Sequence, residues 1–287
     1  MTPGQARAFL AVALKGSFSN AARSLNVSQP TVTNQIQQIE RQHQVELFYR
    51  GARGATLTPA GEALVPFIQR MFSNFEEAGA FLDGLRGVQR GHLRIGSYGP
   101  YDVIKLVARY SVRFPSVSIF VDFANSQSLT QKLVSYELDV AVLGRVETEA
   151  RFFSRPFRDP SLVVIAPRKP PWMDRSSVRV AEFGGQTVVC REPGSAARAA
   201  HDRLLRNGRV SPGRMIEFAS REGVVNAVAE GIGIATIFDE GILPGDRVTK
   251  LKIVGVAIQS RVEIVCLAER RKNRLISSFF ETAEEAQ

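Results

Sequence analysis

The chain has 287 residues, 44% apolar and 23% charged, which gives room for two or three domains with ordinary cores. No apolar run approaches the roughly 20 residues that a membrane-spanning helix needs, so no membrane partner is expected. The formal net charge is +9, and residues 1–58 hold six bases against two acids, an excess of +4 concentrated where it suits phosphate contact.

Residues 3–15 place Ala6, Phe9, Leu10 and Ala13 on one helical stripe. Residues 16–58 then read as helix, tight turn, second helix and short basic hairpin. The first of these helices is expected to start after Ser19, with Ala21, Ala22 and Leu25 facing inward. Asn26 suits a left-handed turn, and Val27 is expected to fill the angle between the helices. Ser28 is a cap, and Pro30 sits in the following first turn, where its missing N–H costs nothing. Val32, Ile36 and Ile39 recur at helical spacing. The remaining surface, Gln29, Thr31, Thr33, Asn34, Gln35, Gln37 and Gln38, is uncharged but dense in amides and hydroxyls, the groups that read base edges in the major groove. This pattern predicts a recognition helix. Phe48 follows as an anchor, then a turn carrying Arg50 and Arg53, then a return strand over 55–57: a wing whose arginines meet phosphate or the minor groove.

Thr58-Pro59 opens a helix to about residue 87. Leu64, Phe67, Met71, Phe75, Ala78, Leu82 and Leu85 recur at spacings of three and four along it, a coiled-coil seam. Such a stripe needs a partner, most simply the same helix of a second subunit, and a dimer suits a helix-turn-helix that reads two half-sites. GVQRG at 87–91 breaks the helix. Beyond it strands and helices alternate: strand 92–96, helix 101–113, strand 118–123, helix 128–136 and strand 139–143. The pattern returns as strand 186–190, helix 195–207, strand 215–218, helix 222–230 and strand 233–237, with 161–166 and 262–268 as connecting strands. The predicted organisation is a DNA-binding domain over 1–58, a linker helix over 59–87, a hinge at 88–91 and an α/β domain over 92–287. The α/β domain divides into subdomain I (92–160 and 240–287) and subdomain II (161–239), with a ligand cleft between two similar halves.

Loops that run from strand ends into helix starts face such a cleft. They carry Ser97, Tyr98, Asn125, Ser126, Gln127, Arg145, Arg191, Ser195 and Ser220. Backbone N–H groups at helix starts together with hydroxyls bind anions, and Arg145 and Arg191 either add charge-assisted contacts or pair with Glu147 and Glu192. A small anionic metabolite is the expected ligand, with no cofactor. Cys190 (in TVVC) and Cys266 (in VEIVCLA) read as buried thiols, in keeping with a reducing cytosol. The start MTPGQARAFL has no basic segment followed by an apolar core, so no signal peptide is expected. His43, His92 and His201 lack metal-site spacing and are assigned to surface or hinge positions. The competing functions, a solute-binding protein or an enzyme acting on a small anion, find no support in these motifs.

The stretch from FLAVALKGSFSNAARSLNVSQPTVTNQIQQIE through ELFYR to LTPAGEAL resembles the N-terminal signature of LysR-type transcriptional regulators. GHLRIGS, YELDVAVLG and EGIGIATIF are similar to that family's second half, so the resemblance covers nearly the whole chain. It implies an all-α winged helix-turn-helix, a dimerising linker helix, and an effector domain of two Rossmann-like subdomains of the periplasmic-binding-protein type. It further implies a tetramer built as a dimer of dimers, double-stranded operator DNA as partner, contact with RNA polymerase, and control of neighbouring genes. Ser28, Gln29, Pro30, Thr31, Thr33 and Asn34 match the family's recognition positions, and Arg50 and Arg53 its wing. QARAFLAVALKGSFSNAA and NVSQPTVTNQI are similar to regulators associated with aminoethylphosphonate catabolism, which implies a phosphonate such as 2-aminoethylphosphonate as effector. One departure is Tyr49-Arg50-Gly51-Ala52, where many members carry a doubled arginine; fewer wing charges leave less for the minor groove.

Overall fold

The computed structural model describes residues 1–51, 54–85, 91–144, 150–239, 247–255 and 260–286. The chain folds as two compact units that part between the long helix and the α/β region.

The N-terminal unit consists of α1 (Pro3–Lys15), α2 (Phe18–Ser24), α3 (Gln29–His43), β1 (Phe48–Gly51), β2 (Gly54–Leu57) and α4 (Pro59–Leu85). Local chemistry sets each boundary. Thr2 accepts the Gln5 N–H and Gln5 answers through its side chain, a capping box ahead of Pro3. Asn26 takes the left-handed conformation at φ 53°, and Ser28 accepts the Thr31 N–H at the start of α3. Two local expectations change. The cap of α2 is Ser17, which accepts the Asn20 N–H, because the Ser19 hydroxyl donates instead to Gln29 Oε1 at 2.9 Å. Val27 is 42% exposed and does not fill the angle between helices. That space is closed by Ala21 and Ala22 against Val32, Ile36 and Phe9, all buried, with the Phe48 ring 5.4 Å from Phe9 and 5.8 Å from Phe18.

The linker helix divides its apolar residues between two faces. Ile68 is buried, and Leu64, Val65, Met71 and Phe72 pack with it on the core of the helix-turn-helix. Leu64 and Met71, expected on the seam, are half-buried and pack in part on the core of their own chain. Phe67, Phe75 and Leu82 are each more than 60% exposed, and Ala78 is exposed beside them. The side chain of Leu85 and the hinge at 88–90 lie outside the described residues.

The C-terminal unit continues with β3 (Gly91–Ser97), α5 (Pro100–Arg113), β4 (Val117–Phe123), α6 (Ser126–Val134), β5 (Val140–Gly144), β6 (Phe152–Arg158), β7 (Leu162–Pro167) and β8 (Ser177–Arg179). It ends with β9 (Thr187–Arg191), α7 (Ala196–Gly208), β10 (Arg214–Phe218), α8 (Arg221–Ala229), β11 (Ile234–Phe238), β12 (Val248–Val254), β13 (Val262–Leu267) and α9 (Arg274–Glu284). These strands form two sheets. One has the order β4-β3-β5-β13-β6 and the other β10-β9-β11-β7-β12-β8. Each holds a parallel βαβ half, and β7 and β13 enter antiparallel. Because β12 pairs with β7 and β8, the second subdomain extends past residue 240, and the chain returns to the first sheet only between β12 and β13. The strands β6, β8 and β12 and the helix α9 had no counterpart among the predicted elements.

The first sheet is pinned by a buried ion cluster. Asp139, at the entrance to β5, accepts from the Arg94 backbone N–H (2.7 Å) and guanidinium (2.8 and 3.1 Å) and from Arg270 at 2.7 Å. Burial opposes its charge, but the Arg94 and Arg270 contacts outweigh it and hold the carboxyl below the usual range.

Candidate nucleic-acid interface and effector cleft

On α3 the predicted surface is present, but its polar groups are not equivalent. Gln38 Oε1 accepts from Gln5 Nε2 of α1, Gln37 Oε1 accepts from Arg41, and Gln29 is tied to Ser19. The Ser28 and Thr31 hydroxyls lie 2.8 Å apart. Thr33, Asn34 and Gln35 have no side-chain hydrogen bond among the described residues, and Asn34 is exposed. Pro30 is exposed in the same first turn. The hairpin registers Arg50 on Ala55 and Gly51 on Gly54. Arg53 and the Arg50 side chain lie outside the described residues.

In the C-terminal unit a narrow cleft, holding about 460 Å³ of empty space with its open mouth included, lies between the two sheets. Four helix starts reach its wall. Gly99 and Tyr101 come from α5, Asn125 and Ser126 from α6, Ser195, Ala196 and Ala197 from α7, and Arg221 from α8; Tyr98, Arg191 and Phe238 complete it. The arrangement follows from strand order: β3, β9 and β11 all end on this side, and each helix begins within a few residues of a strand end. Gly144, at the end of β5, lies so close to α7 that a Cβ there would meet the Ala196 Cβ at 2.3 Å. Gly194 combines φ +86° with Gln127 close by, so only glycine fits the turn into α7.

Of the residues expected here, Tyr98, Asn125, Ser126, Arg191 and Ser195 line the cleft. The Ser97 hydroxyl donates to Gly99 O at 2.7 Å, behind the wall. Gln127 is exposed and meets the opposite lobe through its backbone N–H, which donates to Gly194 O at 3.2 Å. Ser220 caps α8 by accepting the Gly223 N–H at 3.0 Å and lies off the cleft wall. For Ser97 and Ser220 the local reason is the same: hydroxyls near helix starts bond to backbone first. Arg145 lies outside the described residues. Arg221, Tyr101 and Phe238 were not anticipated. Arg221 donates to Phe238 O at 3.0 Å and stacks over the Tyr101 ring, and an arginine just after a cap serine was the signal available in the sequence.

Charge within the cleft is partly cancelled. Arg191 gives Nε and Nη2 to the two carboxylate oxygens of Glu192, at 2.7 and 2.9 Å, and Asn125 Nδ2 reaches Glu192 Oε1 from the other lobe at 3.2 Å. Burial disfavours the Glu192 carboxylate, yet the Arg191 and Asn125 bonds prevail and hold its pKa down. The Ser126 hydroxyl is buried and without a hydrogen-bond partner.

Cys190, Cys266 and His201 are not among the residues that line the cleft. Cys190 and Cys266 are buried free thiols, and burial pushes Cys266 up to about 12. His201, assigned to a surface or hinge, is instead buried on the inner face of α7; its Nδ1 lies 2.8 Å from Thr236 Oγ1, and burial lowers its pKa to about 4. Among the described residues no group of three or more His, Cys, Asp or Glu is placed to hold a metal ion, and no helix is long and apolar enough to cross a membrane.

Residues 3–62 match the family model of the bacterial regulatory helix-turn-helix protein, lysR family, and residues 86–287 match the LysR substrate binding domain. The HTH-type transcriptional regulator CbbR of Rhodospirillum rubrum is 32% identical over 260 residues, covering 89% of this chain and 86% of that protein. The fold is similar to full-length CbnR complexed with its target DNA (TM-score 0.72, 18% identity, all of both chains). It is also similar to the CcmR regulatory domain of Synechocystis PCC6803 in complex with 2-PG (TM-score 0.63, 23% identity, 69% of this chain and 97% of that one). With both family domains in order and a relative spanning most of its length, the chain belongs to the LysR family of DNA-binding transcriptional regulators with an effector-binding domain.

Proposed function

We propose that the protein is a cytoplasmic regulator whose cleft binds a small anionic metabolite and thereby alters operator binding and the transcription of neighbouring genes through RNA polymerase. The observation that carries this reading is the convergence of four helix N-termini with Arg191 and Arg221 on one cleft. Partial positive charge from the helix starts and fixed guanidinium donors favour an anion. A 2-PG-bound regulatory domain of the same fold is in keeping with this class. A phosphonate, as the aminoethylphosphonate resemblance suggests, belongs to it as well. The protein acts as at least a dimer, and as a tetramer when dimers pair, through the exposed row Phe67, Phe75, Ala78 and Leu82 on α4. No cofactor or enzymatic step is assigned.

Two measurements test this. In a thermal-shift panel of small anions that includes 2-PG and phosphonates, at least one is expected to stabilise the full-length protein and to lose that effect in Arg221→Gln. Stabilisation only by neutral or cationic compounds contradicts the reading. The double variant Phe67→Asp/Phe75→Asp is expected to fall to the mass of a single chain in light scattering, and an unchanged mass refutes the seam.

A further inference from the structure

Glutamines of α3 have their side-chain oxygens bonded within the chain. Gln37 Oε1 accepts from the Arg41 guanidinium at 3.2 Å, and a guanidinium can only donate. Gln38 Oε1 accepts from Gln5 Nε2 at 3.1 Å. That polarity is set one bond further back, because Gln5 Oε1 already accepts the Thr2 backbone N–H at 2.8 Å, which leaves its Nε2 for α3. Gln29 Oε1 accepts from the Ser19 hydroxyl at 2.9 Å. In each case the group left over is Nε2, which only donates.

Gln29 opens α3, and the first turn of a recognition helix is the part that meets base edges. Ser19 lies in the first turn of α2. The two helices are packed together by Ala21 and Ala22 against Val32 and Ile36, all buried, so the Ser19–Gln29 bond joins two fixed elements. It holds a long, exposed side chain in place before DNA arrives, and a side chain already held loses less freedom on binding. Guanine offers two neighbouring acceptors in the major groove, N7 and O6, which suit a group with two N–H donors. Adenine sets a donor beside an acceptor and calls for the glutamine oxygen as well.

We propose that Ser19 is a positioning residue that holds Gln29 by its oxygen, leaves Nε2 free for DNA, and so directs one position of the operator to guanine rather than adenine. This rests on α3 as the DNA-reading helix and deepens that reading by naming a base.

The test selects preferred sites from a random double-stranded DNA library with the full-length protein and its variants. The wild type is expected to select guanine at the position whose preference falls in Gln29→Ala, by roughly fivefold to a hundredfold. Ser19→Ala relaxes the same position toward adenine by about threefold to tenfold. Its affinity for random DNA and its thermal midpoint stay at the wild-type values. Ser19→Thr, which keeps the hydroxyl, retains the preference, and Ser19→Ala adds nothing in the Gln29→Ala background. Selection of any base but guanine at that position overturns the donor polarity. An unchanged preference in Ser19→Ala, a loss spread equally over all sequences, or an effect that adds to that of Gln29→Ala overturns the positioning role. Selection of no preferred site by the wild type overturns the reading of α3 on which the proposal rests.

Discussion

On α3, Thr33, Asn34 and Gln35 present amides and a hydroxyl that bond to nothing within the described chain, on a helix whose own backbone is already satisfied. In the C-terminal unit several buried charged and polar groups occupy one another: Glu192 with Arg191 and Asn125, Asp139 with Arg94 and Arg270, His201 with Thr236. The first arrangement suits a surface that meets a large, rigid partner and has only to avoid self-association. The second suits a pocket that must stay folded when empty, where unpaired buried charge is costly. The contrast implies that polar substitutions on α3 act on binding and leave stability alone, whereas those in the C-terminal unit act on folding.

The largest expected effect is at Asp139. Asp139→Ala removes the buried carboxylate that Arg94 and Arg270 share and is expected to cost about 3–5 kcal/mol of stability in denaturant unfolding, as removing one partner of a buried pair does. Because the folded Asp139 carboxyl is held below its unfolded value, its contribution is present above the ordinary carboxylate range and is lost as pH falls through the folded pKa. A loss below 1 kcal/mol would break the contrast from the C-terminal side.

His201 comes next. Its folded pKa of about 4 lies below the unfolded value, so the neutral ring stabilises the fold above roughly pH 6.5 and that stability fades as pH falls toward 4. From pH 8 to pH 5 the His201 share is about 2 kcal/mol, and it should vanish from the pH dependence of Thr236-paired folding in His201→Gln. An identical pH slope in wild type and variant contradicts the burial argument.

The same contrast separates what was legible in the sequence from what was not. The N-terminal unit was readable nearly residue by residue because its elements are fixed by local signals: Ser28 and Pro30 at a helix start, left-handed Asn26, and the 3.6 period of Val32, Ile36 and Ile39. Where two serines competed, Ser17 against Ser19, the pattern alone did not choose the cap. The alternating β and α pattern revealed both sheets, but β6, β8 and β12 owe their places to long-range pairing, and β12 moved a subdomain boundary. In the cleft, loop positions identified Tyr98, Asn125, Ser126, Arg191 and Ser195. The hydrogen bonds that take Ser97 and Ser220 out of play, and the packing that brings Arg221 and Phe238 in, depend on tertiary geometry.

The smallest effect is on α3. Asn34→Ala is expected to leave unfolding within about 0.5 kcal/mol of wild type, because it removes no internal bond. It should lower preference for the operator over random DNA by about 1–3 kcal/mol in competition gel shifts. Equal loss on both DNAs would assign Asn34 to the backbone.

The central claim, that an anion in the cleft controls DNA binding, is tested most directly by footprinting the DNA flanking this gene with full-length wild type and Arg221→Gln, each with and without a stabilising anion. The account predicts that both proteins protect the site and that the anion changes the footprint of the wild type only. An anion effect of equal size in both proteins, or no protected site, would contradict it.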